Sequence, residues 1–124
     1  MNSDLIDSNL IIYAAQSGYE KLHQYIGDEA PLVSVISKVE TLGYHDLKPN
    51  EQTFLEAFFD KTLILSISEQ TINKAISLRQ QHRMSLGDAL IAGTAISHEL
   101  RLATNNTSDF NWISELEVFD PLSG

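Results

Sequence analysis

Apolar positions along the chain fall into short continuous runs separated by stretches with helical spacing. The runs are Leu5–Ile6, "PLVS" (31–34), "LILSI" (63–67), "RLAT" (101–104) and "LEVF" (116–119). Runs this short, bounded by polar and turn residues, predict strands, with "LILSI" fully buried. The intervening stretches predict helices. One runs from about Asn9 to Ser17 and is stopped by Gly18. A second, amphipathic through Tyr19, Leu22 and Ile26, ends at Gly27. Ser34 is placed to cap "VISKVETLGY", and Pro49 opens a helix whose apolar stripe is Phe54, Leu55, Phe58 and Phe59. Ser68 caps a helix to about His82, and Ser85 opens "SLGDALIAGTAISHEL" (85–100), apolar or small nearly all round and therefore central. Five short strands alternating with helices require a parallel sheet covered on both faces, a three-layer α/β/α architecture. No repeat or linker divides the chain, so residues 1–124 are expected to form a single domain.

Composition narrows the class. With 124 residues and 43% hydrophobic content the chain can bury a sizeable core. No apolar run is long enough to span a membrane. The polar start "MNSD" lacks the basic region of a secretory signal, and there are no cysteines. A cytoplasmic protein without disulfides or thiolate metal sites is expected. The 8 basic residues are outnumbered by 17 acidic ones, a net charge of −9. Overall charge therefore opposes nucleic-acid binding, which would need a local device.

Four acids stand out by position. Asp7 interrupts an apolar segment just past the first strand. Glu40 lies in the second turn of the helix after the second strand, Asp88 in the first turn of the central helix, and Asp109 after the fourth strand. Open α/β sheets bind ligands beyond the carboxyl ends of their strands, so these side chains can meet there. Each also has a plain structural reading: Asp7 and Asp109 as helix or turn caps, Asp88 as partner of Ser85 in a capping box, Glu40 as a solvated surface group. Convergence of the four would demand protons or cations to offset their repulsion. Oxygen ligands without Cys or nearby His suit a hard ion, Mg²⁺ with Mn²⁺ able to substitute, rather than Zn²⁺. The chemistry this implies is metal-assisted phosphodiester hydrolysis.

"LIDSNLIIYAA", "VSVISKVETLGY", "SLGDALIAGTA" and "LATNNTSDF", in that order from Leu5 to Phe119, resemble the four motifs of PIN-domain nucleases. The VapC-type ribonuclease toxins of type II toxin–antitoxin systems are the best match. The resemblance implies a PIN-like three-layer α/β/α fold and an acidic quartet of Asp7, Glu40, Asp88 and Asp109. In it Asp7 and Asp88 would be the main metal ligands, and Glu40 and Asp109 would serve a second ion or the attacking water. Asn9, Thr104 and Asn106 match polar supports that would orient the acids. Asn105 stands where many relatives carry Arg, which removes a candidate phosphate contact. The resemblance further implies an RNA substrate, a VapB-like antitoxin that wraps the toxin, and a homodimer.

For an acidic protein to hold RNA, the metals and a local basic patch must supply the attraction. Lys74, Arg79, His82 and Arg83 lie in a stretch, 70–87, that contains no Asp or Glu, and could contact RNA or simply form a wet helix face. Lys38 and Arg101 are isolated in sequence. The four His show no ligand spacing, and Tyr13 and Trp112 suit the core better than base stacking. Two alternatives stay open: a PIN nuclease of RNA maturation without an antitoxin, and a Mg²⁺-binding receiver-like regulatory module. The second is disfavoured by the dispersion of the acids and by the absence of Lys beyond Lys74.

Overall fold

A computed structural model of the chain describes residues 3–123. Met1 and Asn2, the first half of the polar start read above, and Gly124 lie outside the described residues. Strand β1 (Asp4–Ile6) leads into helices α1 (Ser8–Ala14) and α2 (Glu20–Glu29), then β2 (Val33–Ser34), α3 (Val35–Leu42) and α4 (Pro49–Asp60). Strand β3 (Ile64–Leu65), α5 (Glu69–Gln81), α6 (Leu86–Ser97), β4 (Arg101–Ala103), a 3-10 turn (Thr107–Asp109) and β5 (Val118–Phe119) complete the chain.

The five expected strands are present and pair in parallel, as β1-β4-β5 and β2-β3. The two sets join at one bridge, where Ile6 N donates to the Leu32 carbonyl at 3.0 Å and Leu32 N to the Asp4 carbonyl at 2.9 Å. The spatial order is therefore β3-β2-β1-β4-β5. The chain fills one side of β1 first and returns to fill the other, so the switch point lies at the carboxyl ends of β1 and β4.

Local chemistry explains the helix ends. Ser34, Ser68 and Ser85 accept from the amides of Ile36, Thr71 and Asp88, capping α3, α5 and α6 as expected. Helix α1 stops at Ala14, earlier than Ser17. Helix α2 runs through Gly27, because one interior glycine costs only about 1 kcal/mol, and ends where Ala30 turns left-handed at φ 45°. The "LILSI" run is not the fully buried strand expected. As the edge strand, β3 is only half-buried and Leu63 is 60% exposed.

Side chains alternate across a strand, so Leu5 and Ile6 face opposite layers. Leu5 packs with Leu102, Leu78, Ile91, Ala92 and Phe110. Ile6 packs with Leu10, Ile11, Leu22, Leu55 and Phe59 on the other side. Helix α6 is central as expected, with Ala89 and Ile91 to Ala95 buried. Gly93 permits its close contact with α5, since a Cβ there would press on the Thr71 carbonyl.

Arg101 is isolated in sequence but not in space. Its Nε donates to fully buried Asp4 at 2.8 Å, Tyr25 Oη donates to the other Asp4 oxygen at 2.7 Å, and the guanidinium stacks 4.3 Å above Phe119. Burial and the Asp4 carboxylate hold the Tyr25 hydroxyl well above its usual pKa. Arg101→Met keeps the stem but strands the Asp4 charge. Removing one partner of a buried pair is strongly destabilising, and partial solvent access at the guanidinium reduces the loss here to about 2 kcal/mol. Urea unfolding checks this; an unchanged midpoint would mean the pair contributes nothing.

Candidate functional site

Asp7 is the first residue beyond β1 and the cap of α1, which settles the apparent conflict of a carboxylate inside an apolar segment. Its backbone N–H completes the β1–β4 pairing by donating to the Ala103 carbonyl at 2.9 Å. Only 4% of its surface is exposed. One carboxylate oxygen accepts from Ser8 N at 2.8 Å and the other from Thr104 Oγ1 at 2.7 Å. Thr104, just past β4, is itself oriented by the Asn106 N–H, which donates to its hydroxyl at 3.0 Å.

Ser8 links the first acid to the second. Its hydroxyl donates to Glu40 Oε1 at 2.7 Å, and the Ser37 hydroxyl lies 2.9 Å from Ser8 Oγ. With its one proton given to the carboxylate, Ser8 accepts from Ser37. The other Glu40 oxygen rests against Gly87, where an added Cβ would collide with it. Asp88 follows in the first turn of α6, half-buried, with Ser85 Oγ accepting from its amide at 3.1 Å. Asp109 ends the 3-10 turn and is exposed.

The acids act on one another electrostatically. Burial pushes the Asp7 carboxyl up to about 6; the bonds from Thr104 and Ser8 oppose this, and the charges of Asp88 and Glu40 add to it. Asp88 is also raised, first by burial, then by Asp109 and Glu40. Four groups far apart in sequence thus share one electrostatic neighbourhood. Among the described residues, no group of three or more Asp, Glu or His side chains is placed to hold a metal ion. The donor set nonetheless fits Mg²⁺ or Mn²⁺, hard ions that take one or two carboxylates and keep water for the rest. Asp7 retains a free lone pair on each oxygen, and the raised carboxylates mark a place where positive charge is favoured.

The remaining expected residues divide. Thr104 holds Asp7 directly. Asn106 acts through its backbone rather than its amide, and Asn9 is exposed on α1 with no side-chain hydrogen bond among the described residues. Lys74 is not a free cation: its ammonium lies 2.8 Å from Glu115. Arg79 and Arg83 are exposed, with no acidic partner among the described residues. Asn105 donates to Tyr13 Oη at 3.4 Å, while its buried side-chain oxygen has no partner among the described residues. Sequence reasoning missed Ser8, Ser37 and Gly87. The signals were a serine between Asp7 and Asn9, a serine one helical turn before Glu40, and a glycine in a first turn where it weakens the helix.

The fold is an open parallel α/β sheet with buried Asp7 at its switch point and further acids acting on it. The chain belongs to the PIN-domain family, whose model matches residues 5–115. PIN domains in general are nucleases that use divalent metals, and membership sets aside the receiver-like alternative. The chain is similar to a toxin–antitoxin complex from Klebsiella pneumoniae, with 28% identity over 98% of this chain and 100% of that one and a TM-score of 0.81. It also shares its fold with DNA-bound VapBC from Salmonella typhimurium, with 20% identity over 98% and 99% of the chains and a TM-score of 0.85. VapBC2 from Rickettsia felis, bound to a DNA fragment from its promoter, has the same fold, with 22% identity over 94% and 97% of the chains and a TM-score of 0.82. No curated protein matches the chain by sequence.

Two measurements follow from this geometry. The folded pKa of Asp7, about 6, exceeds the unfolded value of roughly 3.9. The folded state thus binds the proton more tightly, and its contribution to stability is lost as pH rises from about 4 through 6. Asp7→Asn, which carries no charge, should be more stable than wild type at pH 7.5 in metal-free buffer, by on the order of 2 kcal/mol. The gain should shrink toward pH 4.5; an Asp7→Asn protein no more stable than wild type at any pH would contradict the assignment. Gly87→Ala should leave the fold intact, since alanine favours the helix by about 1 kcal/mol. It should nevertheless displace Glu40 and reduce the rise in Tm on adding Mg²⁺. An unaltered Mg²⁺ response would show that the Glu40–Gly87 contact is incidental.

Proposed function

We propose that this chain is a metal-dependent endoribonuclease and the toxin of a VapBC-type toxin–antitoxin pair, acting in the cytoplasm. The observation that supports the reading is buried Asp7 at the switch point, braced by Thr104 and Ser8 and raised in part by the charges of Asp88 and Glu40, with Asp109 acting in turn on Asp88. Asp7 and Asp88 would hold Mg²⁺ or Mn²⁺, with Glu40 and Asp109 holding a second ion or the attacking water. When bound, the ion supplies positive charge to the scissile phosphate and makes water a better nucleophile at neutral pH. The protein positions the rest. Thr104 and Ser8 fix the Asp7 carboxylate, and Ser8 and Gly87 hold Glu40 beside it. Glu40 and Asp109 are the more exposed acids, able to take the proton of an attacking water.

The antitoxin partner is supported by likeness to the Klebsiella complex along essentially the whole of both chains. A homodimer belongs to the same reading. Ile72, Ile76 and Leu86, exposed on α5 and at the start of α6, give it an apolar face. Among the described residues no helix is long and apolar enough to cross a membrane.

Purified protein should cut single-stranded RNA with Mg²⁺ and stop when EDTA is added. Asp7→Asn and Asp88→Asn should each slow cleavage by at least ~100-fold. Variants as active as wild type would refute the ligand roles. For the toxin reading, expression should arrest growth and co-expression of the adjacent small gene should restore it; absence of arrest by an active enzyme would favour a nuclease of RNA maturation.

A further inference from the structure

His82, between α5 and α6, and Trp112, just past the 3-10 turn, form an aromatic pair that the acidic site does not use. The rings of His82 and Trp112 stack with centroids 4.4 Å apart and planes 16° from parallel. His82 is exposed, and one face of its ring is taken by Trp112, so the opposite face is available to a ligand. Both rings are held. His82 Nδ1 lies 3.0 Å from the Arg83 carbonyl, and Trp112 Nε1 donates to the Asp109 carbonyl at 3.1 Å. The Lys74–Glu115 ion pair fastens α5 to the segment just beyond Trp112. Arg79 is braced in turn, its Nε donating to the Met84 carbonyl at 3.3 Å. A shallow hollow of about 480 Å³ is lined by residues 79–84, His82, Arg79 and Arg83 among them.

We propose that His82, backed by Trp112, is a stacking platform for one unpaired base of the RNA, and that Arg79 and Arg83 hold the neighbouring phosphates. The inference rests on the ribonuclease reading above and adds where the strand lies. A flat ring fixed on one side and open on the other binds any base through its π-face, with little ordering entropy left to lose. The hydrogen bond from Trp112 to the backbone of Asp109 anchors the platform within one turn of an acid of the cleavage site. It also supplies the local device that an acidic protein needs. The stretch 70–87 has no Asp or Glu, and stacking is independent of net charge. A single-stranded substrate follows, because a paired base offers no free face.

Trp112 is the sole tryptophan, so its emission reports on this site alone. The probe is a nine-nucleotide mixed-sequence RNA, added to full-length Asp7→Asn protein to prevent cleavage. Its binding should quench Trp112, and His82→Ala should weaken the binding about 5- to 100-fold. In cleavage assays His82→Ala should raise KM by a similar factor with kcat nearly unchanged. Trp112→Phe should retain most of the affinity and Trp112→Leu should lose it. Exposed His82 keeps the test valid if Trp112→Leu fails to fold. If wild type cleaves RNA while His82→Ala keeps its KM and RNA leaves Trp112 emission unchanged, the platform is overturned and the nuclease reading stands. If wild type does not cleave, the quenching titration still decides: RNA-dependent quenching lost in His82→Ala upholds the platform, and its absence refutes it.

Discussion

The structure depends on keeping a carboxylate, Asp7, almost fully out of water at the end of a buried strand. A buried charge is tolerated only when paired, hydrogen-bonded or ligated. Asp7 has two hydrogen-bond donors and, among the described residues, no cationic partner, and the charges of its acid neighbours disfavour its ionised form further. The site therefore favours neutralisation of Asp7, by a proton or, on the reading proposed above, by a bound cation. The surrounding fold supplies rigidity, with Leu5 and Ile6 anchoring β1 in opposite layers immediately before the acid.

The two buried aspartates, three residues apart, receive opposite treatment. Asp4, at the start of β1, is neutralised by Arg101 and hydrogen-bonded by Tyr25. Asp7, at its other end, faces further acids. One end of the strand is electrostatically closed and the other is left open. That asymmetry separates the structural end of the sheet from the chemical one more clearly than burial, which both acids share.

Much of this was legible in the sequence. The strand runs, the serine caps and the small-residue central helix are local signals, and they fixed the layer order and the loops bearing the acids. What escaped was tertiary. Arg101 reads as isolated because its partner lies 97 positions away. Lys74 reads as a free cation because nothing in the sequence tells that Glu115 will sit beside it. Ser8 lies outside the helix expected from Asn9, and only folding shows that its hydroxyl joins Asp7's loop to Glu40's helix. "LILSI" reads as core because apolar runs alone do not separate a central strand from an edge one.

The single bridge between Leu5 and Leu32 gives the molecule a seam. On one side are β1, β4 and β5 with Asp7; on the other are β3 and β2, of which β2 leads into the helix that carries Glu40. Two backbone hydrogen bonds cross the join within the sheet, and the Ser8–Glu40 bond spans the same divide above it. Any relative shift of the halves changes the spacing between Asp7 and Glu40 directly, without breaking a helix or unpairing a ladder. The gap between the acids is thus mechanically coupled to how tightly the two halves of the sheet are drawn together.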